Sequence, residues 1–159
     1  MRLSDLFQPE DVLVGFAPHD KWDAIRRLVE HLVARDRLKT VSGPAIVDAV
    51  VAREKSMSTG MEHGIAIPHA AVDAVDHVVA CMAIVGAKDG LPFENIDGGT
   101  TKIVVLLVIP RAQKLLHIRT LADIARVLNR DAIRERLIQA ATRAEAWAIL
   151  AEADGPKRA

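Results

Sequence analysis

The chain has no tyrosine, three phenylalanines and two tryptophans among its 159 residues, so its core has to be built from leucine, isoleucine, valine and alanine. It has one cysteine, Cys81, which excludes an internal disulfide and suits a reducing compartment. That thiol lies within the apolar run 78–85, where a buried and inert role is expected. Net charge is also missing: 21 basic residues balance 21 acidic ones, leaving no global field to draw in nucleic acid or an anionic membrane. No apolar run reaches the roughly 18 residues of a membrane span. The opening Met1-Arg2-Leu3-Ser4-Asp5 lacks the apolar region of a signal peptide. No membrane insertion and a cytoplasmic location are therefore expected. Internal repeats, low-complexity segments and linkers are absent too. The expectation is one domain over residues 1–153, followed by a flexible tail over 154–159.

What is present alternates between two periods. Ser4-Asp5 suits the start of a short turn carrying Leu6 and Phe7 and closed by Pro9, and residues 12–16 form a strand candidate. From 20 to about 38, Trp22, Ile25, Leu28, Val29, Leu32 and Val33 recur at helical spacing with charges between them. Ser42 and Pro44 open a second helix that runs to about 54, with Ile46, Val47, Val50 and Val51 as its apolar stripe. Residues 65–68 are expected as a short strand between loops. Residues 78–85 read as a strand buried on both faces, and 103–109 as the central strand, ended by Pro110. Helices follow over 114–128 and about 133–140. The last opens at Thr142, with Glu145 completing a capping box. Strands interleaved with helices give an α/β domain, and the turn signal Asp97-Gly98-Gly99 suggests an antiparallel pairing. A single mixed β-sheet flanked by helices on both faces is expected.

The chemistry concentrates in residues 53–70, REKSMSTGMEHGIAIPHA. Arg53 stands at the end of a helix, and Ser56, Ser58, Thr59 and Gly60 make a small polar turn. Pro68 fixes the backbone just before His69. His19, His31 and His77 suit surface or boundary positions, whereas His63, His69 and His117 stand in Gly-rich, Pro-fixed and apolar contexts. Taken singly, His69 reads as a loop histidine, His117 as a buried ring satisfied by a carbonyl, and Arg53 as a cation on a helix dipole. Taken together they suit phosphoryl transfer, whose loose transition state is served by positioning and electrostatics. His69 would be the nucleophile, with His117 holding its ring or donating to the phosphoryl group. Arg53 would offer a fork of donors to phosphate oxygens, and Ser58, Thr59 and the amides of 58–64 an anion-cradling turn. Nothing in this set requires a metal or another cofactor. A zinc site of His63, His69 and His117 is a competing reading, disfavoured because no cysteine lies nearby and Arg53 would crowd the metal.

These residues resemble the signature of the mannitol/fructose-type (type 2) enzyme IIA domains of the bacterial phosphoenolpyruvate-dependent phosphotransferase system, which include the nitrogen-regulatory enzyme IIA proteins. The family pattern runs roughly R-E-x-x-x-S-T-G-I-G-x-G-I-A-I-P-H, and its histidine falls on His69. The segments 21–28, 91–98 and 103–128 are similar to further family segments, and the resemblance covers about residues 3–150. It implies a phosphoryl carrier that takes the group on His69 from the histidine phosphocarrier protein. The group then passes to a cysteine of an enzyme IIB, or its presence signals to regulatory target proteins. It also implies that Arg53 and His117 are the phosphate-contacting arginine and the second active-site histidine, and that Nε2 of His69 reacts while Nδ1 is fixed by a hydrogen bond.

The chain departs from the pattern at Glu62-His63, where the family has glycine and then a variable residue, often asparagine, and at Ala70, where glycine is frequent. A carboxylate at 62 would repel a phosphoryl group unless it faces solvent or pairs with a cation, and it would be strained if that position needs a positive φ. This motivates an alternative: a regulatory binding module of the same fold with weak or no phosphotransfer.

Overall fold

The computed structural model describes residues 2–93 and 98–155. One five-stranded sheet runs through it: β1 (Val12–Phe16), β2 (Ile65–Ala66), β3 (His69–Val72), β4 (Val79–Val85) and β5 (Ile103–Pro110). Their spatial order is β1-β4-β5-β2, with β3 continuing along the same flank of β5. β1 is parallel to β4, β4 is antiparallel to β5, and β2 and β3 are parallel to β5. The sheet is mixed, as the sequence suggests.

Period-two alternation divides the two long strands between two cores. Ile103, Val105, Leu107 and Ile109 of β5 join Ala80, Met82 and Ile84 of β4 on one face. That face is covered by α1 (Leu3–Leu6), α4 (Lys114–Leu128), α5 (Asp131–Gln139) and α6 (Arg143–Ala153). Val104, Leu106 and Val108 join Val79, Cys81, Ala83 and Val85 on the other face, under α2 (Lys21–Ala34) and α3 (Gly43–Ser56). Both strands read as unbroken apolar runs because both of their faces are dry. Cys81 lies fully buried within the second core, where burial pushes its thiol pKa up.

Element ends show where local chemistry departs from periodicity. The first long helix stops at Ala34, short of 38, because Asp36 turns left-handed at φ 57°; Arg37 and Leu38 then return their amides to the Leu32 carbonyl. The second runs two residues past Glu54, to Ser56, and its N-cap Ser42 makes no side-chain cap. Thr142 caps α6 through the Glu145 amide as expected, but the Glu145 carboxylate reaches back to the Ala141 amide, one residue before the cap. Asp154 accepts from the Leu3 and Ser4 amides and caps α1. The Asp97 of the expected turn and residues 156–159 lie outside the described residues. Leu91 and Thr101 exchange both backbone hydrogen bonds at 2.8 and 2.9 Å, an antiparallel continuation of the β4–β5 pairing.

The expected strand over 65–68 is two strands. Ile65–Ala66 and His69–Val72 flank a break at Ile67-Pro68, where proline has no amide to give a ladder. The Pro68 carbonyl still accepts from Leu107, so the chain rejoins β5 with His69 opposite Leu107. His69 therefore begins a strand instead of following one.

Candidate active site

Because β3 lies at the sheet's flank, His69 is approached from two directions. Ala70 and Val72 pack on the α2–α3 side, so alternation turns His69 toward α4. There His117 meets it edge-on, with ring centroids 5.1 Å apart and planes at 74°. From the other side, around the edge, comes the C-terminal turn of α3 with Arg53 and Glu54. The turn after α3 folds back along β2: Gly60 bridges Ala66, the Met61 amide donates to Ile65, and the Ile67 amide donates to Thr59.

His69 is only 7% exposed. Its Nδ1 lies 2.8 Å from the Ile67 carbonyl oxygen, which can only accept. The neutral ring therefore carries its proton on Nδ1 and keeps a lone pair on Nε2. Its pKa is lowered, chiefly by burial and further by the positive charges of Arg53 and His117; the Ile67 carbonyl and Glu54 pull the other way. The ring is thus a neutral base with one open nitrogen. Arg53 donates Nη1 to the Met57 carbonyl at 2.7 Å, its one hydrogen bond among the described residues, so most of its donor fork has no hydrogen-bond partner among them.

Ser58 and Thr59 point elsewhere. Both hydroxyls donate to the carboxylate of Glu54, at 3.1 and 2.7 Å, and the Thr59 amide donates to both of its oxygens. The Ser58 hydroxyl oxygen accepts from the Gly60 amide. Sequence reasoning missed Glu54, the buried centre of this turn, and Lys21, whose ammonium lies 3.6 Å from it. A signal existed: Ile46, Val50 and Glu54 fall four apart on the buried side of α3, so a carboxylate continued an apolar stripe into a Ser/Thr turn. Lys21 also sits over the Trp22 and Phe93 rings, at 4.7 and 5.2 Å.

Glu62 and His63 both lie at the surface, with Glu62 59% exposed and its carboxylate 3.8 Å from His63 Nε2. The left-handed residue is His63 (φ 65°), followed by Gly64 (φ 74°), so the backbone demand feared for Glu62 falls one residue later. At Gly64 a Cβ would also press against the Thr100 carbonyl at 3.2 Å. Among the described residues no three His, Cys, Asp or Glu side chains group as they would to hold a metal ion.

Over residues 5–153 the sequence matches the family described as phosphoenolpyruvate-dependent sugar phosphotransferase system, EIIA 2. The chain belongs to that family. Among curated relatives, it is 30% identical over 152 residues to a nitrogen regulatory protein of Pseudomonas aeruginosa, covering 96% of each chain. It is also 30% identical over 135 residues to a fructose-specific EIIA component of Haloferax volcanii, covering 85% of each. Its fold superposes on the crystal structure of the nitrogen regulatory IIA of Neisseria meningitidis with a TM-score of 0.83 at 22% identity, over 93% of this chain and 98% of that one. No helix among the described residues is long and apolar enough to cross a membrane.

Proposed function

We propose that this type 2 EIIA carries a phosphoryl group on Nε2 of His69, taking it from the histidine phosphocarrier protein. The observation that carries the reading is the 2.8 Å bond from His69 Nδ1 to the Ile67 carbonyl, which leaves Nε2 as the open, unprotonated nitrogen. In the transfer, the Nε2 lone pair forms a bond to phosphorus while the donor's phosphorus–nitrogen bond breaks. Its electron pair returns to the donor's imidazole. Arg53 lies on the side where charge accumulates on the phosphoryl oxygens, and His117 stands against the ring as its second neighbour. Ser58 and Thr59 serve the phosphate side indirectly, by holding the turn that receives the Arg53 hydrogen bond. Discharge reverses the step onto a cysteine thiolate of an enzyme IIB in the cytoplasm, or the charged state is read by regulatory target proteins. One relative is named for fructose transport and another for nitrogen regulation, and the site suits either use.

Incubation with phosphoenolpyruvate, enzyme I and the phosphocarrier should add a single acid-labile phosphoryl group, detected by mass spectrometry of the intact protein. The adduct should vanish in His69→Ala. Absence of any adduct on the wild-type chain with its cognate phosphocarrier would overturn the assignment.

A further inference from the structure

Ile67 and Pro68 lie between β2 and β3, and the Ile67 carbonyl holds Nδ1 of His69 at 2.8 Å. A free neutral imidazole prefers its proton on Nε2, so this carbonyl keeps the ring in the less favoured tautomer. Whatever fixes the carbonyl is therefore part of the site. The peptide it belongs to ends on the proline nitrogen, which has no hydrogen to anchor it. The Ile67 amide, outside both strands, donates not to β5 but to the Thr59 carbonyl at 3.2 Å. Thr59 is fixed in turn from its other side. Its amide donates to both oxygens of Glu54, at 3.0 and 3.1 Å, and its hydroxyl donates to Oε2 at 2.7 Å. Glu54 and Thr59 are both buried, so water competes little for these bonds. A line of hydrogen bonds thus runs from the Glu54 carboxylate through Thr59 and Ile67 to the ring of His69.

Resting on the function proposed above, we infer that Thr59 and Glu54 are positioning residues for the transfer, selecting Nε2 of His69 over Nδ1 as the nitrogen that takes the phosphoryl group. Neither touches the reacting atoms. Glu54 anchors Thr59, Thr59 sets the Ile67 peptide, and the Ile67 carbonyl keeps the proton on Nδ1. When the Nε2 lone pair bonds to phosphorus and the donor's bond to phosphorus breaks, that proton stays and the ring becomes positive. Glu54 favours a positive ring, against Arg53 and His117, so the residue that sets the tautomer also offsets the charge created by the attack.

The test reads the ring itself. With isotope-labelled histidine nitrogen, NMR at about pH 8, where the ring is neutral, distinguishes the protonated nitrogen from the bare one. His69→Gln identifies which signals belong to His69. The wild type should show Nδ1 protonated and Nε2 bare. Thr59→Val keeps the shape, removes the hydroxyl, and should shift the tautomer ratio about tenfold toward protonated Nε2, as expected for one lost hydrogen bond. Glu54→Gln puts donors where the carboxylate accepts and should shift it at least as far. Thr59→Ser should restore the wild-type ratio. Phosphoramidate, which needs no protein partner, should label Nε2 in the wild type and in Thr59→Ser. In the other two variants the share on Nδ1 should rise about tenfold. A ring that keeps its proton on Nδ1 in both Thr59→Val and Glu54→Gln overturns the inference, since the buried Ile67 side chain would then hold the carbonyl without them. Lowered thermal stability with an unchanged tautomer overturns it equally, being the mark of a merely structural role. Failure of phosphoramidate to label wild-type His69 overturns the phosphohistidine reading instead, while the tautomer ratio still reports on Thr59 and Glu54.

Discussion

Two buried carboxylates, Asp11 and Glu54, are held in opposite ways. Asp11 lies just before β1 and is met by two arginines and a histidine: Arg37 at 2.6 Å, His31 at 2.9 Å and Arg35 at 3.2 Å. Glu54 lies at the end of α3 and is met by neutral donors, two hydroxyls and one amide, with Lys21 more distant at 3.6 Å. The cluster at Asp11 ties the end of α2 to the chain entering β1 and has no part in the site. That at Glu54 shapes the turn beside His69, and because its bonds come from Ser58 and Thr59, the adjacent Arg53 is not drawn into a salt bridge. A carboxylate next to an arginine proposed to bind phosphate is tolerable when other donors satisfy it. The contrast separates a structural ion cluster from a site-organising one.

The largest effect should come from the structural cluster. Asp11→Ala strips the largely buried Arg37 of its counter-charge and leaves Arg35 only its outer ion pair with Glu10 at 3.4 Å; it should cost about 3–5 kcal/mol in urea unfolding, while the folded protein still takes up phosphoryl groups at its normal rate. Glu54→Gln should invert that pattern. Its stability loss is smaller, about 1–3 kcal/mol, but misplacing the turn should slow single-turnover phosphorylation of His69 about tenfold. Equal losses of transfer in both variants would erase the distinction.

A third comparison uses pH. His69 has its folded pKa below the ordinary value of 6.5, so between the two values the unfolded chain binds more protons than the native one. Native stability is complete above the unfolded value and falls as pH drops through that window. His69→Gln should therefore lose less stability than the wild type on going from about pH 7.5 to about pH 5, measured by thermal unfolding across that range. The smallest effect is expected at Glu62. Its carboxylate is exposed and near His63, so solvent and salt screen it from a phosphoryl group, and Glu62→Gly should change the phosphorylation rate by less than about threefold. A large rise would favour the weakly transferring regulatory module instead.

The fold was legible where a single period ran long enough. The two core strands, the three longer helices and the mixed sheet followed from unbroken valine and isoleucine runs and from helical spacing. Ends were less legible because they hang on one residue's backbone, as at Asp36, or on a partner far along the chain, as when Asp154 caps α1. The site divided similarly. Arg53, His69 and His117 could be singled out because each is an unusual residue in its own segment. Glu54 could not, since its meaning lies in what it touches. The Asp11 cluster joins residues 20 to 26 positions apart, and no local pattern marks it.

The two tryptophans and the lack of tyrosine give the protein a built-in optical layout. Trp147 sits against the α4–α6 core and donates its indole to the Phe7 carbonyl, whereas Trp22 lies on the other side of the sheet beneath Lys21, the cation next to Glu54. Intrinsic emission thus comes from one lamp on each side of the sheet, without a tyrosine background. Replacing Trp147 with phenylalanine would leave a single emitter that views the turn beside His69 through Lys21, so the proposed uptake of a phosphoryl group could be followed in real time without attaching a label.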